Sequence, residues 1–198
     1  MLSDFHPLPR HALDSGAGLI RTESGNCRRT RLNDPAMEVM TDLRVIAPVT
    51  TGPETPLQVA HEQMMHRGVR LLFVVDDSTT LLGLVTATDV LGEKPMQHIQ
   101  QAGGTRNEVR VRDIMTPHEQ LDVLTLADVL GAKVGHIVAT LKACNRQHAL
   151  VVEGEEASGW QMVRGIFSSA EIARQVGMEI QIAHKAETFA EIEAQLAK

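Results

Sequence analysis

The chain is poor in the features that mark redox, membrane and polyanion chemistry. Its 198 residues include two cysteines, Cys27 and Cys144, too few for a disulfide framework and without the spacing of a metal site. Thiols in a reducing cytosol are the simplest account, and no metal is expected. No apolar run approaches the roughly 18 residues that a bilayer-crossing helix needs. The N-terminus, with Asp4, His6, Pro7 and Pro9, lacks the apolar core of a signal peptide. The expected location is therefore cytoplasmic, with no membrane partner. Basic residues are outnumbered, 19 Lys and Arg against 25 Asp and Glu, for a net charge of −6. Polyanion binders usually carry a basic patch or a high pI, so no nucleic-acid partner is expected. The cluster Arg28-Arg29-Thr30-Arg31 is a local exception and reads as a solvated arm. No Walker, zinc or triad spacing appears. Cys144 and His148, four positions apart, would meet on a helix as nucleophile and base, but that helix is expected to end between them. An enzyme is not expected.

What is present is a repeated unit. The run Leu71-Leu72-Phe73-Val74-Val75 closes on Asp76-Asp77-Ser78, a strand and then a turn. Leu81 to Val85 forms a second strand, and Thr86-x-x-Asp89 opens a helix. The same order returns at Ala149-Leu150-Val151-Val152-Glu153 and Gly165-Ile166-Phe167-Ser168-Ser169-Ala170-Glu171. Upstream, Asp113-Ile114-Met115-Thr116 corresponds to Glu38-Val39-Met40-Thr41. Each copy reads as helix, strand, helix, strand, strand, helix. A copy this short exposes one face of its small sheet, so packing the two together is the natural way to bury both.

The boundaries follow composition. Residues 1–33 read as a flexible extension, 34–104 as the first copy, 105–177 as the second, and 178–198 as a tail. In the first copy Asp34-Pro35 opens a short helix through Met40, and Val45 to Thr51 is an extended lead-in. Thr55-Pro56-Leu57-Gln58 starts a helix that buries Leu57, Ala60, Met64 and Met65 on one face and ends at Arg67-Gly68. The helix after Asp89 runs on past Pro95 and stops at Ala102-Gly103-Gly104. In the second copy Thr125-Leu126-Ala127-Asp128 opens one long helix reaching about Ala143. In the tail, Met178 to Ile182 alternates like a strand. Thr188 caps a final helix with an apolar stripe at Phe189, Ile192 and Leu196, which docks either on its own domain or in a dimer.

Two copies of acid-Val/Ile-Met-Thr, a lead-in strand, a helix, a Val-Val-acid strand and Gly-h-h-Ser/Thr-x-x-Asp (h apolar) resemble the cystathionine-β-synthase (CBS) domain pair. The resemblance covers roughly residues 36–177. It implies an α/β (α+β) fold of two tandem motifs, each a small three-stranded sheet with flanking helices, packed as a pseudo-twofold pair. It also implies a regulatory module that binds an adenosine nucleotide in clefts between the sheets and forms homodimers whose four motifs make a flat disc. Carried onto this chain, Asp89 would accept from the ribose hydroxyls and Thr86, at a helix start, would hold a phosphate. Thr50 and Thr51 would contact the adenine, Leu71 would pack on the base, and Arg70 would face the phosphates of the neighbouring cleft. An ionised carboxylate suits a diol that donates twice, a helix start suits an anion, and the arginine fork suits phosphate. Thr86-x-x-Asp89 is equally a plain capping box, a device repeated at Thr55, Thr125 and Thr188.

The second copy departs from the pattern. Glu171 stands where aspartate is expected, and Gln147 where the first copy has Arg70. His148, Ser168 and Glu171 are thus expected to form the weaker site. AMP is favoured over ADP and ATP because few cations flank the site, and S-adenosylmethionine is an alternative ligand. No cofactor is required. A ligand-free interaction module with an unidentified protein partner is the competing reading.

Overall fold

The computed structural model describes residues 30–155 and 160–180. The arginines at 28 and 29 and the tail helix from Thr188 lie outside the described residues. The described chain runs β1 (Thr41–Asp42), β2 (Thr50–Thr51), α1 (Leu57–Arg67), β3 (Leu71–Val75), β4 (Leu81–Thr86), α2 (Ala87–Leu91) and α3 (Lys94–Ala102). It continues through α4 (Val111–Ile114), β5 (Thr116–Pro117), β6 (Val123–Thr125), α5 (Leu126–Gly131), α6 (Val134–Ala143), β7 (His148–Glu155), β8 (Trp160–Ser168) and α7 (Ser169–Val176). Short 3-10 turns at Ala36–Val39 and His118–Gln120 precede β1 and β6 respectively.

Two four-stranded sheets result, in the orders β2-β3-β4-β5 and β1-β8-β7-β6. Three strands of each sheet come from one copy, and the fourth is lent by the other. β1 runs antiparallel to β8 with Thr41 opposite Ile166, and β5 runs antiparallel to β4 with Thr116 opposite Leu84. The exchange explains the glycine that precedes each Ser/Thr-x-x-acid run. A Cβ on Gly83 would stand 2.4 Å from the Thr116 carbonyl oxygen, and one on Gly165 would stand 2.6 Å from the Met40 sulfur. The Arg164 guanidinium pairs with Asp42 at 2.6 Å, fastening β1 to the other copy's sheet.

Apolar side chains gather in three layers. Leu57, Ala60, Met64, Leu72, Val74, Val85 and Val90 fill the first copy's core together with Val109, Val111 and Ile114 from the linking segment. Val129, Val134, Ile137, Leu141, Val151, Phe167 and Ile172 fill the second together with Ala36, Val39 and Met40. Phe73, Leu84 and Leu150 meet between the sheets. Each copy thus borrows buried residues from the segment that leads into its partner.

Several expectations are revised. Met65 is 62% exposed, since it lies a helical step beyond the stripe of Leu57, Ala60 and Met64. The segment from Val45 begins as a turn, with the amides of Val45 and Ile46 both donating to the Asp42 carbonyl, and strand pairing starts only at Thr50. Thr55 does not cap α1; its hydroxyl accepts from Thr51 at 3.0 Å, and Pro56 takes the cap position. The long helix expected from Leu126 to Ala143 is broken between Gly131 and Val134. There the segment Leu32–Ala36 crosses it: Ala36 donates to the Ala132 carbonyl, and Val134 and Gly135 donate to those of Asp34 and Leu32. These backbone bonds compete with the helical ones. Met178–Ile180 form no strand, and Ile180 packs on the second core.

Candidate functional site

The junction of β4 and α2 builds the first cleft. Thr86 ends the strand in an extended conformation, and Asp89 folds back onto it: Asp89 Oδ2 accepts from the Thr86 amide at 2.8 Å and from its hydroxyl at 2.7 Å. The Asp89 amide donates to Thr86 Oγ1 at 3.2 Å. The capping box is therefore real, and it is also where the cleft lies. Asp89 Oδ1 turns to the Lys94 ammonium at 2.6 Å. That ammonium also donates to the Ile114 carbonyl at 3.2 Å.

The helix start is less open to an anion than its sequence suggests. The amides of Thr86 and Asp89 are used within the box, and the Ala87 amide donates to the Arg70 carbonyl at 2.9 Å. The cations that share the cleft are Lys94 and Arg146. This hollow, about 300 Å³, runs over Leu71, Leu84, Leu121 and Leu150, with Asp89 and Asp122 as its carboxylates.

The pseudo-twofold partner cleft is larger, about 600 Å³, and lies around Ser168 and Glu171. Arg70 lines it, together with Arg67 and Arg174, so the guanidinium of the first copy serves the second copy's cleft. Glu171 does not repeat Asp89's geometry. Its Oε1 accepts from Arg174 at 2.5 Å and from Gln175 at 2.6 Å, and its Oε2 from Arg174 at 3.0 Å. Those donors hold the Glu171 carboxyl below the usual carboxylate range, the Arg174 bond being the largest cause. Ser168, the counterpart of Thr86, makes no capping bond with its side chain.

Leu71 and His148 stand at matching ends of β3 and β7, opposite Thr86 and Ser168, and both line both clefts. Burial pushes the His148 imidazole down to about 4, with the Arg70 charge adding to the effect and the Asp89 charge opposing it. His148 is thus neutral at pH 7.

Thr50 and Thr51 are not brought into either cleft. Thr51 is buried and bonded to Thr55, while Thr50 opens on a separate groove beside Val59, His66 and Arg67. Their neighbour Val49 lines the second cleft, and its counterpart Asp122 the first. Lys94, Asp122 and Arg146 escape a reading by motif, because they stand outside the repeated pattern. Only the register of β2 on β3 and β6 on β7 equates Val49 with Asp122. Cys144 ends α6, exposed, and a turn with Asn145 at φ 51° separates it from His148 on β7. The helical pairing of the two is therefore absent.

Residues 36–95 match the family model of the CBS domain. No curated protein matches the sequence. Solved structures match it in fold. An uncharacterized conserved protein from Pyrococcus horikoshii is similar with a TM-score of 0.54 at 20% identity, over 78% of this chain and 100% of that one. CBSX2 in complex with AMP, a protein of Arabidopsis thaliana, is similar with a TM-score of 0.51 at 23% identity, over 71% and 94%. A CBS-domain-containing protein from Agrobacterium tumefaciens is similar with a TM-score of 0.51 at 15% identity, over 69% and 93%. The chain carries a CBS domain in its first half and, over both halves, has the fold of a tandem CBS domain pair. Among the described residues, no helix is long and apolar enough to cross a membrane.

Proposed function

We propose that this chain is a cytoplasmic regulatory module that senses an adenosine nucleotide, AMP before ADP or ATP, through the cleft at Asp89. The observation that carries the reading is the division of labour on that carboxylate. Thr86 holds Oδ2 twice, which fixes the group in place, while Oδ1 turns away toward Lys94. A carboxylate held in place on one side, with a half-exposed lysine to displace on the other, suits a ribose diol, whose two hydroxyls need an anionic acceptor. Leucines 71, 84 and 150 offer an apolar bed for a base. Two cations against two carboxylates in the cleft suit one phosphate better than three. CBSX2, similar in fold, was solved with AMP, which is consistent with the reading.

The cleft at Glu171 is the weaker site in this reading, because a ribose there would have to displace a bidentate arginine. Binding alone signals nothing; the ligand must favour one of two conformations or assemblies. We infer a homodimer as the element it acts on. Val59 of α1 and Leu91 of α2, 41% and 59% exposed, line one outer groove between those helices and fit a face that a second copy covers.

The test is calorimetric titration with AMP, ADP, ATP and S-adenosylmethionine, with Asp89→Asn as the control. We expect saturable AMP binding near one per chain, weakened at least about tenfold in the variant, in line with loss of a charged hydrogen-bond acceptor. Binding of none of the four sinks the reading and leaves a ligand-free interaction module, while binding indifferent to Asp89 sinks the assignment of the ligand to this cleft.

A further inference from the structure

Lys94 stands where its own helix gives no reason for a lysine. It is the first residue of α3, at the end where the backbone dipole is positive and a cation is disfavoured. Glu93 before it makes no capping bond with its side chain. The ammonium instead leaves the helix, bridging Asp89 Oδ1 at 2.6 Å and the Ile114 carbonyl at 3.2 Å. Thr86 already occupies the other Asp89 oxygen. The lysine therefore sits on the one acceptor that a ribose would need.

We propose that Lys94 sets which ligand the Asp89 cleft accepts, admitting a phosphorylated nucleoside and discriminating against the free nucleoside. This rests on the nucleotide reading above. A diol approaching Oδ1 must displace the ammonium. A neutral adenosine leaves that charge without its carboxylate, which opposes binding. A nucleoside monophosphate brings a new anion, and the lysine's long stem lets the ammonium move from carboxylate to phosphate. The side chain is 44% exposed while Asp89's is 13% exposed, so the mobile partner of the pair is the lysine. The same residue thus opposes ribose binding and rewards phosphate. The amides of Thr86, Ala87 and Asp89 at the α2 start are engaged elsewhere and do not duplicate that role.

The full chain and its Lys94→Met and Lys94→Arg variants would each be titrated calorimetrically with adenosine and with AMP. In Lys94→Met we expect adenosine to bind up to about 5-fold tighter, the range of a half-exposed ion pair released. AMP should bind at least about 10-fold weaker, the low end of the range for a charged hydrogen bond lost. Lys94→Arg keeps the charge and should keep the preference for AMP. Equal weakening of both ligands in Lys94→Met would mean that the lysine only shapes the cleft, and would overturn the proposal; so would no change in either. If Lys94→Met does not fold, judged by its thermal unfolding, Lys94→Gln supplies the neutral variant. Should no protein bind either compound, or should Asp89→Asn bind both like the wild type, the nucleotide reading itself fails, and this inference falls with it.

Discussion

His148 is the residue whose charge matters most to the interior. Leu71 occupies the same place in the first copy, so the fold tolerates an apolar side chain there. An imidazole enclosed by the clefts near Arg70 resists protonation down to about 4. The unfolded chain takes up that proton near 6.5. Between those two values the unfolded state binds more protons than the folded one, so stability falls as pH drops from about 6.5 to about 4 and levels off below. The loss is on the order of 2 kcal/mol after allowing for the partial exposure of the site. His148→Leu should remove this component. Urea midpoints of wild type and variant, compared at pH 7 and pH 5, will converge or diverge accordingly. A variant that loses as much stability as the wild type over that interval would show that His148 is not the group responsible. The repeat singles out this histidine as a candidate site residue, but nothing in the sequence marks it as the one that burial perturbs. Its perturbation comes from burial by strands far apart in the chain. Asp89, by contrast, was legible because its partner Thr86 is three residues away.

At the scale of elements, local signals succeeded and crossings were missed. The strands Leu71–Val75 and Leu81–Thr86, the turn held by Asp76, and the left-handed cap at Gly68 are all set by neighbouring residues. The break between α5 and α6 is not, because its cause is the backbone of residues 32–36. Arg70 is also placed by a crossing: it belongs to the first copy in sequence and lines the second cleft in space, a position implied by the family resemblance and not by its neighbours in the chain. Gly83 shows how a crossing can leave a trace in the sequence. Its missing side chain is the room through which β5 passes, and a methyl group there meets backbone that cannot swing aside. Gly83→Ala should cost about 2–3 kcal/mol, the upper range for overpacking. Gly131, at the end of α5 with nothing near its would-be Cβ, is the control. Gly131→Ala should be neutral or stabilising by up to about 0.5 kcal/mol. Denaturant unfolding of the two variants decides the matter, and similar costs at both glycines would refute the crossing as the reason for Gly83.

For the molecule as a whole, exchange of β1 and β5 makes the two copies mutually dependent. The first sheet is completed by Thr116–Pro117, and the first core includes Val109, Val111 and Ile114, all supplied from beyond residue 104. A piece ending at Gly104 would therefore keep its helices and its β3-β4 hairpin. It would leave β4 with an open edge and the core without three of its buried side chains. An open edge is a site of aggregation, and burying three fewer apolar groups removes several kcal/mol, at about 1.5–3 kcal/mol each. That is a large share of the 5–15 kcal/mol that a whole domain has. Residues 30–104 alone are expected to lack a cooperative urea transition, whereas residues 30–180 should unfold in a single transition seen alike by circular dichroism and by tryptophan fluorescence. The single tryptophan, Trp160, begins β8 of the second copy, so coincidence of the two signals tests whether the copies unfold together. Two separated transitions, or a stable fragment ending at Gly104, would show that the lent strands decorate two independent units. One shared transition would mean that a ligand stabilising the Asp89 cleft stabilises the Glu171 cleft as well, a coupling carried by packed strands without a moving part.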